Sequence, residues 1–280
     1  MNEWVGWPSH TTATAIFHTA ESPAVHDYHV HSNYSDGRFL PRMLAAAESA
    51  GLDGVGIADH CNVSERSPMP TFKRQYGFNL DITYERRREA IDSLRERYDL
   101  DVYDAVEMDY DPREEDAIRA FLDTAGFDYA IGSVHAVEGR NLHDERYFGE
   151  KSEAERDAVA ERYVEKLLGL IESELFAIAA HPDLIERNPA LRGRLSEDHY
   201  HDIAAAFADS RTVPELNAGR ATEDYGAFHP SEDFLAVLRE YDVGVTVGSD
   251  AHTPEAVGDQ TAALSEAVEN RGLDPVVLSV

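Results

Sequence analysis

The feature that most constrains the fold is an alternation of short apolar runs with longer amphipathic runs, which becomes regular from Val25 onward. After a first strand that ends near residue 31, the predicted strands lie at residues 53–60, 101–110, 127–136, 175–185, 212–219 and 243–252. The predicted helices lie at residues 41–51, 82–98, 114–126, 155–173, 198–210 and 231–242. About seven strand–helix units without an intervening linker predict an α/β protein built as a single β/α barrel.

Two segments are predicted along the chain. Residues 1–25 show no clear period and are predicted to form an N-terminal extension, a candidate flexible arm, whereas residues 26–280 are predicted to form one domain. No apolar run approaches the roughly 18 residues that span a membrane, so no membrane association is predicted. Because the chain lacks a signal-peptide pattern and contains only one cysteine, Cys61, it is predicted to be cytoplasmic.

The charge balance is strongly acidic, with 54 acidic and 25 basic residues and a formal net charge of -29. Such a surface repels phosphate backbones, so nucleic acid is not an expected partner. The acidic residues are dispersed between apolar ones, which argues against an acidic tail. Only three of the basic residues are lysines, and this composition resembles proteins of extreme halophiles, in which salt screens the self-repulsion.

Histidines and carboxylates recur at the carboxyl ends of the predicted strands. These residues are His29, His31, His60, Glu107, His135, His181, Asp250 and His252. In a β/α barrel those strand ends meet at one rim, where active sites are built. Neutral imidazoles and carboxylates suit Zn, Mn or Fe(II), so the pattern predicts a metal centre.

The spacing within two of these motifs adds to this prediction. His29 and His31 are separated by one residue, as are Asp250 and His252, and alternate side chains of a strand share a face. A carboxylate such as Glu107 can bridge two cations. Several cations together can hold a phosphate and activate water for its displacement.

Six motifs resemble the PHP (polymerase and histidinol phosphatase) superfamily of metallophosphoesterases: HVHSNYSDG, ADH, the lone Glu107, GSVH, HPD and GSDAH. The resemblance implies a distorted (β/α)7 barrel, similar to a TIM barrel, with two or three divalent metals at the carboxyl rim. It assigns one metal to His29, His31, Glu107 and Asp250. It assigns a second to Glu107, His135 and His181, and a third to Asp36, His60 and His252.

A finer resemblance points to the histidinol-phosphatase branch of that family. It is carried by the segments AIGSVHAVEGRNLHD, AHPDLIERN and ELNAGR, and by the region from His229 to Gly258. This branch implies a phosphomonoesterase that converts L-histidinol phosphate and water to L-histidinol and phosphate in histidine biosynthesis, with a metal-activated hydroxide at a di- or trinuclear centre. Arg220, after the ELN strand, and Arg187, after HPDLIE, are the candidate phosphate-binding residues, because guanidinium groups match phosphate oxygens.

Several alternatives stay open from the sequence. Asp36 lies in a turn-forming SDG sequence and could serve only the turn. Asp59 could cap the following loop or orient a ligand from behind, and no general acid is assigned. The alternative functions are a phosphoesterase acting on nucleotides, such as 3′,5′-bisphosphates or short oligonucleotides, and a metal-binding module without catalysis. Neither the identity of the metal nor the oligomeric state is predicted.

Overall fold

The computed structural model describes residues 26–280, so the predicted extension of residues 1–25 lies outside the described part. The strands are β1 (His26–Val30), β2 (Gly54–Cys61), β3 (Asp101–Asp109), β4 (Tyr129–Ser133), β5 (Ala136–Val137), β6 (Arg140–Asn141), β7 (Ile178–Ala179), β8 (Val213–Asn217) and β9 (Thr246–Gly248). The helices are α1 (Leu40–Ser49), α2 (Met69–Tyr76), α3 (Leu80–Arg95), α4 (Glu115–Ala125), α5 (Glu145–Gly149), α6 (Glu153–Glu172), α7 (Glu197–Ala208), α8 (Glu232–Glu240) and α9 (Pro254–Arg271).

Seven parallel strands form the central sheet in the order β1-β2-β3-β4-β7-β8-β9. The last strand returns to the first, because Val30 and Ala251 form a parallel bridge. Two backbone hydrogen bonds hold this seam, from Asp250 N to His29 O at 2.7 Å and from His31 N to Ala251 O at 2.9 Å. The result is a nearly closed seven-stranded β/α barrel, which confirms the predicted fold class.

The helices cover the outside of the sheet because each carries one apolar face. Helix α6, for example, begins at a capping box formed by Ser152 and Glu155 and buries a stripe that includes Tyr163, Leu167 and Leu170. This stripe belongs to the main hydrophobic core, between helices and sheet. Among residues 26–280, no helix combines the length and the apolar character needed to cross a membrane.

The lower part of the barrel interior is closed by side chains rather than left as a channel. Tyr28 and Tyr129 pack edge to face there, with ring centroids 5.7 Å apart, and small residues such as Ala58 and Ala105 fill the remaining space. The segment after α9 covers the base, where Leu278 N donates a hydrogen bond to the Tyr28 hydroxyl at 3.1 Å. Within residues 26–280, the barrel interior is therefore closed at its base and open at the opposite rim, at the carboxyl ends of the strands.

The structure differs from the sequence prediction mainly in the connections. Within the predicted strand at residues 175–185, only Ile178–Ala179 pairs with neighbours, because the chain turns sharply at His181. Helices α2, α5 and α9 and the β5–β6 hairpin were not predicted, and α2 and the hairpin lie in connections on the rim side of the barrel.

Candidate metal centre

All nine residues proposed as metal ligands come together at the carboxyl rim of the barrel. A shift in register between Asp27 and Val30 marks a bulge in β1. As a result, Tyr28 packs in the lower barrel while His29, the next residue, also points into the barrel and contacts Glu215. The bulge thus redirects the first histidine toward the rim, a common use of bulges beside active sites.

Glu107 lies at the middle of the cluster and is buried, with its two carboxylate oxygens facing different groups. Its Oε1 is 3.3 Å from the Nε2 atoms of both His135 and His181. Its Oε2 is 3.4 Å from His29 Nε2 and 2.6 Å from His60 Nδ1. The two oxygens of Glu107 thus face different histidines, which is the arrangement that a carboxylate bridging two cations requires.

His29, His31 and Asp250 form one side of the cluster, across the seam of the barrel. The Nε2 atoms of the two histidines are 3.1 Å apart, and His31 Nε2 is 3.2 Å from Asp250 Oδ1. His29, His31 and Glu107 can present three ligand atoms within 4.8 Å of one another. These are the residues assigned above to the first metal.

Asp36, His60 and His252 form the outer side. Asp36 Oδ1 is 3.2 Å from His252 Nε2 and 3.8 Å from His60 Nε2. Together with His31, whose ring stacks on His252 at a centroid distance of 4.1 Å, they form a second group with ligand spacing. Asp36 therefore faces the cluster rather than only shaping its turn, although its metal-binding role stays a prediction.

Hydrogen bonds behind the histidines fix which ring nitrogen faces the centre. His29 Nδ1 lies 2.8 Å from Glu215 Oε1, and His135 Nδ1 lies 2.6 Å from Asp109 Oδ1. Since a carboxylate accepts, each Nδ1 carries the hydrogen and each Nε2 presents a lone pair inward. His252 follows the same rule, because its Nδ1 donates to the backbone oxygen of Asp250 at 2.8 Å.

The electrostatics of the cluster favour ionised carboxylates. Burial alone would raise the pKa of Glu107, but His60, His135 and His29 outweigh burial and hold the pKa well below its usual value. Asp250 behaves in the same way, since burial is outweighed mainly by His29 and a hydrogen bond from His31, so its pKa is also well below normal. Buried anions at such close range create a strong demand for cations.

Two of the candidate ligands have unusual backbone conformations. His181 and Asp250 have positive φ angles of 31° and 56°, which non-glycine residues rarely adopt. Each lies two residues after the end of a barrel strand, where the chain turns and the side chain points into the rim. Strain of this kind is typical of residues held in place for a function.

The Asp59 side chain forms hydrogen bonds with the loop after β1 rather than with the loop after its own strand, β2. Its carboxylate accepts hydrogen bonds from Ser32 N at 2.7 Å and from Ser35 Oγ at 2.8 Å. The Ser35 hydroxyl is in turn 3.3 Å from His31 Nδ1. Arg87, also buried, donates to the same carboxylate at 3.0 Å, so Asp59 reaches a candidate ligand only through a serine.

A cavity of about 430 Å³ opens beside the cluster, and both candidate arginines line it. Arg187 is largely buried, with 9% of its side chain exposed, and its Nη2 lies 3.6 Å from Asp250 Oδ2. Arg220 is half exposed and forms an ion pair with Glu223. Arg187 is therefore the more firmly held of the two.

Four residues of this site were not predicted from the sequence. Glu215 and Asp109 lie behind ligand histidines, His229 lies behind Arg187, and His143 lines the cavity. His143 is exposed as a whole residue, but desolvation of its ring in the cavity wall, followed by the positive charge of Arg187, lowers its pKa to about 4. Glu215 precedes Asn217 by two residues in a strand, and this spacing is the only sequence signal that could have indicated it.

The donor set fits divalent metal ions. His181 Nδ1 is buried without a hydrogen-bond partner in the described residues, and the Nε2 atoms of His29 and His31 lie 3.1 Å apart, a spacing that two nitrogen ligands of one ion can have. Mixed nitrogen and oxygen ligands of this type suit Zn, Mn or Fe(II).

Comparison with known proteins agrees with this arrangement. Residues 27–219 match the family model described as "PHP domain". A probable histidinol-phosphatase of Deinococcus radiodurans is 26% identical over 257 residues, covering 88% of this chain and 93% of that protein. A histidinol-phosphatase of Lactococcus lactis is 24% identical over 238 residues, covering 81% and 83% of the two chains.

Solved structures show the same fold. The histidinol phosphate phosphatase of Lactococcus lactis, determined with zinc, L-histidinol and phosphate, superposes with a TM-score of 0.73 at 18% identity, covering 90% of this chain and 95% of that one. A putative histidinol phosphatase of Listeria monocytogenes gives a TM-score of 0.68 at 18% identity, covering 85% and 99%. The family match extends over more than half of the sequence and contains seven of the nine clustered residues, so this chain belongs to the PHP domain family.

Proposed function

We propose that the protein is a metal-dependent phosphomonoesterase that hydrolyses L-histidinol phosphate to L-histidinol and phosphate. The observation that carries the proposal is a cluster of nine histidine, aspartate and glutamate side chains that can offer nitrogen or oxygen ligands to metal ions. This cluster lies beside a cavity lined by two arginines. The curated relatives named as histidinol-phosphatases, and the Lactococcus lactis structure with L-histidinol and phosphate, support this substrate.

The metal ligands are proposed in three groups. The first ion would be held by His29, His31, Glu107 and Asp250. The second would be held by Glu107, His135 and His181, and the third by Asp36, His60 and His252. The separation of the Glu107 oxygens between the first two groups supports a centre of at least two ions.

When bound, such ions supply positive charge for the phosphoryl oxygens and make a water acidic enough to attack phosphorus. The chain's own residues complete the site. Arg187 and Arg220 would offer N–H donors to the phosphoryl oxygens, where negative charge grows during transfer. Glu215, Asp109 and the backbone oxygen behind His252 keep the ligand imidazoles oriented, so the site needs little rearrangement when substrate arrives.

The test compares phosphate release from L-histidinol phosphate and from a nucleoside 3′,5′-bisphosphate, each with added Mn²⁺ or Zn²⁺ and after chelator treatment. We expect rapid, chelator-sensitive release from histidinol phosphate and little from the nucleotide. Preference for the nucleotide would favour the alternative phosphoesterase, and no release from either would favour a non-catalytic metal-binding module.

We further propose that the protein works at high salt in the cytoplasm and that residues 26–280 are a single domain. The formal net charge of -29 supports the first point. All three lysines make specific contacts: Lys73 pairs with Asp81 at 2.5 Å, Lys151 pairs with Glu138 at 3.1 Å, and Lys166 donates to Ala136 O at 3.0 Å. If this is right, unfolding temperature and activity will rise with KCl concentration over the molar range, because salt screens surface repulsion. A decline over that range would contradict the proposal.

A further inference from the structure

The arginine best placed to bind phosphate is held by a histidine. Arg187 Nε lies 2.9 Å from His229 Nε2, and Arg187 Nη2 lies 3.1 Å from Asn217 Oδ1. No hydrogen bond within residues 26–280 involves its Nη1, and the side chain lines the cavity beside the metal ligands. Two of its three nitrogens are therefore used for support, which leaves the guanidinium with one free end.

The chemistry of this contact determines the protonation of His229. A guanidinium nitrogen can only donate, so His229 Nε2 must present a lone pair. The other ring nitrogen, Nδ1, lies 2.5 Å from Asp183 Oδ1 and therefore carries the hydrogen. His229 is thus a neutral imidazole, even though it contacts a buried carboxylate.

Asp183 is itself fixed on both of its oxygens. Its Oδ2 accepts a hydrogen bond from Ser231 N at 2.8 Å, and the side chain is completely buried. The His229 ring is covered on one face by Tyr225, whose ring is stacked on it with a centroid distance of 5.1 Å. The His229 backbone is anchored separately, by hydrogen bonds to Asn217 in both directions. The aspartate and the ring have no freedom to rearrange without breaking these contacts.

We propose that Asp183 and His229 are positioning residues for phosphate recognition: Asp183 sets the tautomer of His229, and His229 orients Arg187 so that its free end points at a phosphoryl oxygen. The proposal rests on the proposed function, since it takes a phosphate monoester as the ligand. Neither residue lines the cavity, and this role explains why a carboxylate and an imidazole are buried together behind Arg187. An aspartate that selects a histidine tautomer has the same role in hydrolase triads.

The sharpest test is Asp183→Asn, which changes one atom. The amide oxygen must face Ser231 N, so the amide NH₂ faces His229 Nδ1 and moves the ring hydrogen to Nε2. Two donors then meet where Arg187 Nε and His229 Nε2 lie 2.9 Å apart, and the arginine must turn away. Asp233→Asn, at an exposed position in the first turn of α8, is the matched control.

We expect Asp183→Asn to raise both the KM for histidinol phosphate and the Kd for inorganic phosphate by about 10- to 100-fold, the range for losing a hydrogen bond to a charged group. Arg187→Met should have a similar effect, and the double variant should be no worse than Arg187→Met alone, because both changes remove the same contact. Metal content, measured in each variant, should stay at the wild-type value.

His229 gives an independent comparison if Asp183→Asn folds poorly. His229→Gln can place an amide oxygen near the lost Nε2 and should retain part of the phosphate affinity. His229→Asn leaves Arg187 without an acceptor and should behave like Arg187→Met. Equal phosphate affinity in these two variants would overturn the proposal, as would additive losses in the double variant or an Asp183→Asn protein that binds phosphate like wild type.

The proposed function and the positioning role fail in different ways. If the wild-type protein does not hydrolyse histidinol phosphate, the function is wrong. Calorimetry with inorganic phosphate on the metal-loaded protein still decides the positioning role, because it requires no turnover. Weaker phosphate binding in both Asp183→Asn and Arg187→Met would then support it, and unchanged binding in either would refute it.

Discussion

Replacing Glu215 with glutamine should weaken metal binding without unfolding the protein. Glu215 is fully buried, and every contact it makes is as an acceptor. One oxygen accepts from His29 Nδ1 at 2.8 Å, and the other accepts from His181 N at 3.1 Å and from Asn217 Nδ2 at 2.9 Å. Asn217 cannot turn to compensate, because its oxygen already accepts from Gly219 N and Arg187.

The glutamine amide has two orientations of unequal energy. With its NH₂ toward His181 N and Asn217, it would leave two buried donors unsatisfied, at about 1–3 kcal/mol each. With its NH₂ toward His29, all hydrogen bonds are kept, but the hydrogen of His29 moves to Nε2 and blocks the lone pair that faces the centre. The second orientation is favoured, so the metal-free protein should keep its stability. Loss of such support typically weakens metal affinity by about 10- to 100-fold, or roughly 1.4–2.8 kcal/mol.

Competition with a chromophoric chelator measures this effect directly, by titrating zinc into Glu215→Gln, wild type and the exposed control Glu197→Gln. Thermal unfolding in chelator supplies the second readout. We expect weaker zinc binding only in Glu215→Gln and nearly equal unfolding temperatures for the three metal-free proteins. Wild-type zinc affinity in Glu215→Gln would refute the reasoning, because it would mean that the His29 tautomer does not depend on this carboxylate.

Three further predictions follow from buried contacts. Arg87→Met should lower the free energy of unfolding in urea by about 3–5 kcal/mol, because it removes the ion pair to buried Asp59 and leaves buried Asp104 with Arg88 alone. The exposed Arg86→Met should change the free energy of unfolding by less than about 0.5 kcal/mol, and equal effects of the two substitutions would contradict this. Gly248→Ala should weaken zinc binding in the same chelator titration. The Cβ of the new alanine would lie 1.9 Å from Glu215 Oε1 and would force that carboxylate to move. Unchanged zinc affinity would show that the carboxylate can shift without affecting the metal ligands. Burial raises the pKa of the Cys61 thiol, so the thiol stays protonated at pH 8. Iodoacetamide should therefore alkylate Cys61 in the folded protein at least about tenfold more slowly than in the urea-unfolded protein. Equal alkylation rates would argue against burial of this cysteine.

The barrel and the ligand cluster were predictable because both follow from periodic patterns. Alternating apolar and amphipathic runs specify strand–helix units, and parallel strands must end at a common rim. His60, Glu107 and His135 could therefore be expected to meet although they come from three strands, and the structure brings them together around the Glu107 carboxylate.

The supporting residues could not be predicted, because they depend on the exact approach of side chains from distant elements. Asp183 and His229 are 46 residues apart and meet only after the loops on the rim have folded. The β1 bulge has no sequence signature either, yet it places both Tyr28 and His29 inside the barrel. Similarly, the pairing of Arg220 with Glu223, three residues away, depends on a local turn that the pattern does not specify.

The seam between the first and last strands has a kinetic consequence. His29 and His31 lie on the first-strand side of the seam and Asp250 lies on the last-strand side, and within residues 26–280 two backbone hydrogen bonds join the two sides. An ion held by these three side chains would fasten the two ends of the barrel across 221 residues of sequence, from His29 to Asp250. Opening the barrel at this point would require the ion to leave first, so the lifetime of the folded state, and not only its equilibrium stability, would depend on the free metal concentration.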